Sequence, residues 1–151
     1  MAQKTANYQL YLWEPEDNFL RTEFNENFAK IDAAIPHIAA GAYTGNGGSS
    51  ASTTAKTQTI SLGFHPKAVL VYPVDGMAYI NTGNYGYKNV YSALATREQN
   101  AAVNGLSALT ITESGFTVNF QSKNAELNTY SSEDRPATNY GSKVYNYIAL
   151  G

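Results

Sequence analysis

The chain has 151 residues, with ten Lys and Arg against twelve Asp and Glu and a formal net charge of -2 at pH 7. Apolar residues make up 43% and charged residues 15%, while Ser, Thr and Asn supply 40 residues, so the composition predicts one folded core under a polar but largely uncharged surface. With no run of Lys or Arg there is no dense positive field to hold a phosphate backbone, and with no Cys there are no disulfides, thiolate metal sites or cysteine nucleophiles.

Met1 to Asn7 lacks the apolar core of a signal peptide, and nowhere does an apolar run approach the ~18 residues of a membrane span. The expectation is a cytoplasmically made protein with no membrane insertion. Residues 7 to 13 alternate in part and are aromatic, which predicts an extended segment. Glu14-Pro15-Glu16-Asp17 then has the Pro and the acids that suit a first helical turn. From about Asp17 to Ile35 the residues Phe19, Leu20, Phe24, Phe28, Ile31 and Ile35 recur at steps that predict a helix, ended by Pro36. Phe24, Phe28, Ile31 and Ile35 form a stripe that can pack on its own domain or gather identical helices around an axis. Six of the twelve acids lie between Glu14 and Asp32, which predicts a solvated acidic face.

After Ala40 the chain becomes rich in Gly, Ser, Thr and Tyr with period-two runs, so a boundary is expected near His37 to Gly41. Strands are predicted from Tyr43, at Thr57 to Leu62, at Lys67 to Val74 and at Met77 to Ile80. Lys67 to Val74 is apolar on both faces, as in a central strand, and Asp75-Gly76 signals a hairpin. Residues 81 to 105 carry Asn, Gly and Tyr with little pattern and read as long loops. Leu106 to Glu113, a Ser114-Gly115 turn and Phe116 to Gln121 form a hairpin with Phe116, Val118 and Phe120 on one face. A polar stretch, Ser122 to Ser142, precedes a final strand at Val144 to Leu150. Many short strands after one helix predict a mainly β fold, an antiparallel sandwich or barrel.

Catalytic motifs are absent: there is no G-x-S-x-G, no H-E-x-x-H, no Walker lysine loop and no calcium loop. No catalytic residue, cofactor or metal site is therefore expected. His37 and His65 sit beside prolines as turn residues. Gly45-Asn46-Gly47-Gly48 looks like a phosphate-cradling loop but lacks the lysine. Asp75, Glu98, Glu113, Glu126, Glu133 and Asp134 are nominal carboxylates for a glycosidase pair, although spacing alone brings no two together. Twelve of the nineteen aromatics are Tyr. A Tyr ring offers sugar C–H faces an apolar platform, and Asn supplies directional hydrogen bonds for a neutral polyol. Tyr72, Tyr145 and Tyr147 fall on strands and read as core or sheet-face residues. Tyr85, Tyr87 and Tyr91 fall in the unpatterned stretch. With Asn81, Asn84 and Asn89 they are the candidate glycan-binding residues; packing of the loop or of a subunit interface is the other reading.

Tyr11-Leu12-Trp13-Glu14-Pro15, followed by Phe24-Asn25-Glu26-Asn27-Phe28-Ala29-Lys30-Ile31-Asp32-Ala33-Ala34-Ile35, resembles the N-terminal region of bacteriophage and prophage tail proteins. Gly41-Ala42-Tyr43-Thr44-Gly45-Asn46-Gly47 and Ile60-Ser61-Leu62-Gly63-Phe64-His65-Pro66-Lys67-Ala68-Val69-Leu70-Val71 resemble the opening of a tail-fibre or receptor-binding domain. Ser114 to Val118 and Asn139 to Ala149 are similar to its last strands. The resemblance implies a homotrimer in which residues 1–38, with Phe24, Phe28, Ile31 and Ile35 as the oligomerisation stripe, attach to a tail or baseplate protein. It implies that residues 39–151 form a β-sandwich recognising a bacterial cell-surface polysaccharide, within a virion tail assembled in the host cytoplasm and released by lysis.

Overall fold

The computed structural model describes residues 3–81, 88–124 and 134–151, with the backbone alone for Ile80 and Asn81. The described residues are mainly β with one helix, and the chain divides into two compact units, Met1–His37 and Ile38–Gly151.

In the first unit a small antiparallel ladder, β1 (Gln3–Lys4) and β2 (Tyr11–Leu12), precedes the helix α1 (Arg21–Ala34). Asn27 ties the two together: its Oδ1 accepts from Tyr11 N (2.7 Å) and its Nδ2 donates to Tyr11 O (3.0 Å). Trp13 Nε1 donates to Glu23 (2.9 Å), and Lys30 reaches the Gln9 carbonyl (2.8 Å) and Glu26 (2.8 Å). The Lys30 ammonium and the Tyr11 side chain hold the Glu26 carboxyl below the usual range. The helix starts four residues later than the apolar spacing predicts. Glu14 and Asp17 close a turn on each other instead, with Glu14 N donating to Asp17 Oδ2 (3.1 Å) and Asp17 N to Glu14 O (3.0 Å), so the Pro15 segment is a separate turn. Phe19 and Phe24 fold over Trp13, and Phe28 meets Phe24 edge-on at 4.5 Å. No residue of α1 is buried within the chain.

Among its described residues the second unit holds three sheets. The first runs β3 (Ile38–Thr44), β13 (Val144–Leu150), β5 (Ala68–Pro73) and β8 (Ala93–Thr96), every pair antiparallel. The second runs β4 (Lys56–Ser61), β11 (Gly115–Phe120), β10 (Leu106–Thr112) and β9 (Ala101–Val103), also antiparallel, with a register shift between Ser107 and Leu109. The third is small: β12 (Asp134–Pro136) lies parallel to β7 (Lys88–Val90), which pairs antiparallel with β6 (Tyr79–Asn81).

Period-two alternation sends Val69 and Val71, Tyr145 and Ala149, and Phe116, Val118 and Phe120 into one shared core. Tyr43 stacks on Tyr145 at 5.0 Å, and Phe116 meets Tyr147 edge-on at 5.2 Å. Burying such side chains contributes roughly 1.5–3 kcal/mol each. Through this core runs a turn whose residues Ala137, Thr138 and Asn139 are fully buried. Their polar groups are met in full view of the sheets: Tyr43 Oη donates to Thr138 O (2.6 Å), Thr138 Oγ1 to Ala108 O (2.6 Å), and Asn139 Nδ2 to Lys56 O (2.9 Å). Tyr145 Oη donates to Ala137 O.

This turn explains the glycine cluster that resembled a phosphate loop. A Cβ at Gly45 would lie 2.1 Å from Tyr140 O, and one at Gly47 would lie 2.5 Å from Asn139 O. Gly47 N donates to Asn139 O (2.9 Å) and Asn46 N to Asn139 Oδ1 (3.0 Å). The glycines allow two backbones to touch.

Two expectations need correction. Asp75-Gly76 is a turn, with Gly76 N donating to Pro73 O (2.9 Å) and Met77 N to Asp75 Oδ1 (3.0 Å). It is not a hairpin, because β5 pairs with β13 and β8 while the chain passes on to β6 in another sheet. The stretch 81 to 105 is not all loop: β7, β8 and β9 lie within it. Each is three or four residues long, too short for alternation to stand out.

Burial pushes the Tyr43 and Tyr145 hydroxyls above the ordinary tyrosine range of about 10. A raised folded-state value means that their stabilisation is intact below about pH 10 and is lost as the pH rises beyond it, by up to about 1.4 kcal/mol per pH unit for each tyrosine. Urea unfolding midpoints should fall above pH 10, with tyrosinate absorbance from these two rings appearing together with unfolding. Their ionisation within a still-folded protein at pH 10 would contradict the burial described.

Candidate ligand groove

The three-stranded sheet sorts its residues by alternation. On one side of β7 and β12 stand Asn89 and Arg135, directly paired in the ladder and both buried; on the other stand Lys88 and Asp134, also paired and both exposed. The buried side is a closed network. Arg135 Nε donates to Asn89 Oδ1 (2.5 Å) and its Nη1 to Ser122 Oγ (3.0 Å), the guanidinium lying 5.3 Å from the Phe120 ring. Asn89 Nδ2 donates to Tyr91 Oη (3.2 Å). The Tyr91 ring meets Tyr140 edge-on at 5.7 Å and lies 4.5 Å beneath Lys143 Nζ, which binds Asp75 Oδ2 at 2.6 Å. Burial raises the Tyr91 hydroxyl, and Lys143 holds the Asp75 carboxyl low.

Tyr91 is 3% exposed and Asn89 is 4% exposed, so neither is available to a ligand. This corrects the reading of both as glycan contacts: the Asn of a three-residue strand and the Tyr two positions after it are here the polar filling beneath a buried arginine. Asn84, Tyr85 and Tyr87 lie outside the described residues. Asn81 pairs with Lys88 through its backbone, and its side chain is outside the description.

The exposed side is an open groove of about 230 Å³ lined by Ala78, Tyr79, Lys88, Val90, Ser92 and Asp134. Tyr79 stands opposite Val90 in the ladder and is 60% exposed. Tyr91 N donates to Ala78 O (2.8 Å), which continues the β6–β7 pairing past Val90 and fixes the apolar floor. The groove thus offers one aromatic face, an apolar base, an ammonium, a hydroxyl and a carboxylate. A ring sugar with C–H faces and equatorial hydroxyls presents the complement of that set.

Among the nominal acids, Asp134 lines this groove, Asp75 is bound to Lys143, and Glu113 Oε2 lies 3.3 Å from His65 Nδ1. Glu126 and Glu133 lie outside the described residues. Among the described residues no three His, Asp or Glu side chains gather as a metal ion requires, and no helix is long and apolar enough to cross a membrane. Tyr79, Lys88 and Ser92 line the candidate groove, and the sequence reading did not select them. The available signal was Tyr79 in the alternating run after Asp75-Gly76, a tyrosine that period two turns outward.

The N-terminal stripe is solvent-facing within one chain. Phe24, Phe28, Ile31 and Ile35 are 39%, 55%, 40% and 59% exposed, and Phe28, Ala29, Ile31, Asp32 and Ile35 line a groove of about 480 Å³. Of the two sequence readings of this stripe, packing onto its own unit covers only part of it, through the Trp13, Phe19 and Phe24 contacts. Comparison of the chain with protein families, with curated proteins and with solved structures finds no match.

Asn89→Ala removes one charge-assisted partner of the buried Arg135 guanidinium. It should cost roughly 1.5–3 kcal/mol of stability in chemical denaturation. Unchanged stability would mean that Asn89 is not a structural support.

Proposed function

We propose that this protein is a receptor-binding component of a bacteriophage tail or a related tail-like particle. Its N-terminal unit attaches to the tail or baseplate and gathers three copies through Phe24, Phe28, Ile31 and Ile35. Its β unit, arranged as a sandwich, binds a bacterial surface glycan without chemical turnover. The observation that carries the glycan assignment is the groove in which the exposed Tyr79 ring stands beside Lys88, Ser92 and Asp134. The largely uncharged, Thr- and Asn-rich composition and the ordered tail-protein motifs support the same reading. Single-site sugar contacts are weak, and three copies on one particle multiply them into useful avidity.

A second reading, a structural tail or decoration protein, is favoured by the burial of Tyr91 and Asn89, which assigns two of the sequence-selected residues to packing. Binding of the purified protein to host cells, with Tyr79→Ala as the comparison, separates the two. The receptor reading expects saturable binding that falls at least about tenfold in the variant, the equivalent of about 1.4 kcal/mol. No binding by the unaltered protein, together with its incorporation into particles, selects the structural reading.

A further inference from the structure

The two four-stranded sheets share a core, but their other sides differ in kind. On the β4–β11–β10–β9 sheet that side carries hydroxyls: Thr59 and Thr117 are paired in the ladder with their Oγ1 atoms 3.1 Å apart, Thr110 stands next to Thr117, and Thr57 is exposed. Such a surface is at home in water.

On the β3–β13–β5–β8 sheet the corresponding side is apolar. The register aligns Ala40, Ile148, Leu70 and Leu94 in one row across all four strands, and Ile38, Leu150, Ala68 and Thr96 in the next. A third row holds Ala42, Asn146 and Tyr72. Ile38 and Leu94 are each 63% exposed, and Leu70, Tyr72, Ile148 and Leu150 are also exposed. None of these side chains is charged at neutral pH. A sheet apolar on both sides is an inner layer, and only one of its sides is covered by the core.

We propose that a second copy of this chain packs on this face, sheet against sheet, about a two-fold axis that runs between β13 and β5 parallel to the strands. That operation reverses strand order, so β3 of one copy faces β8 of the other. Every row then becomes complementary to itself. Ala40 meets Leu94 and Ile148 meets Leu70; in the next row Leu150 meets Ala68; and Asn146 meets Tyr72, whose hydroxyl it can hydrogen-bond. Small residues opposing large ones is the packing that fills the space between two layers. The absence of charge removes any repulsion between identical faces and leaves a phosphate or acidic partner nothing to bind.

The size is also adequate. Four strands spaced about 4.8 Å apart over about six residues give a face of roughly 19 Å by 20 Å. Two such faces, with the relief of their side chains, hide on the order of 1,000 Å², about the lower limit that a specific interface has to clear. The contact is separate from the helix stripe and pairs copies whether or not the helices gather in threes.

The test is the mass of the full chain in sedimentation velocity, with circular dichroism melting as the control for folding. Leu70→Glu and Ile148→Lys should each halve the mass of the unaltered protein without abolishing the melting transition. If either fails to fold, Leu94→Glu at the outermost exposed position takes its place. Mixing the Leu70→Glu and Ile148→Lys proteins should restore the larger mass, because the two-fold axis sets position 70 of one copy against position 148 of the other. The proposal is overturned if the unaltered protein already has the monomer mass, if the sheet variants leave the mass unchanged, if only Phe28→Glu with Ile35→Glu lowers it, or if mixing restores nothing.

Discussion

The buried turn at Ala137, Thr138 and Asn139 is the constraint on which the β unit depends. Backbone that passes through a core must find partners there, because each buried N–H or C=O left unmet costs about 1–3 kcal/mol. Here the backbone partners come from several other elements: Tyr43 on β3 and Tyr145 on β13 donate to the Thr138 and Ala137 carbonyls, Ala137 N donates to Val90 O (2.8 Å), Asn139 N donates to Asn119 O on β11 (3.2 Å), and Gly47 N donates to Asn139 O (2.9 Å). The turn's side chains add bonds of their own, from Thr138 Oγ1 to Ala108 O on β10 and from Asn139 Nδ2 to Lys56 O at the start of β4. One turn therefore sets the spacing of both large sheets. It also follows β12 directly, so fixing the turn fixes Arg135 on the inside and Asp134 in the groove.

The same alternation that builds the core decides what is shown to the outside. The threonine side of one sheet and the apolar side of the other come from strands of similar length and pairing, and differ in which residues occupy the outward positions. The groove at Tyr79 is a third kind of surface, mixed in character and small. A chain of small net charge thus separates a hydroxyl-rich face, an apolar face and a mixed cleft, all without a large electrostatic field.

Much of this architecture was legible in the residues, and the exceptions have physical causes. Leu106 to Gln121 reads as a hairpin because Phe116, Val118 and Phe120 alternate over a full strand length beside a Ser-Gly turn, and β13 reads as a strand for similar reasons. The position of β13 between β3 and β5 was not legible, because pairing partners about 75 and 105 residues away leave no local signal. The helix start is not legible, because Glu14-Pro15-Glu16-Asp17 satisfies the chemistry of a capped first turn and of an isolated turn equally well. In the candidate site, loop-like surroundings do not mark the exposed tyrosine. Tyr91 turned out to lie under Lys143, while Tyr79, on an apparently ordinary strand, is the exposed ring. What distinguishes them is which way a three-residue strand faces, and that is set by Arg135, a residue 44 positions away from Tyr91.

Glycan recognition at the small sheet is tested most directly by amide chemical-shift mapping of the full chain during titration with surface polysaccharide fragments from a bacterium that the protein binds. Saturable shifts concentrated at Tyr79, Lys88, Ser92 and Asp134 are the expected result. Shifts confined to other surfaces, such as the threonine face around Thr59 and Thr117, would contradict it.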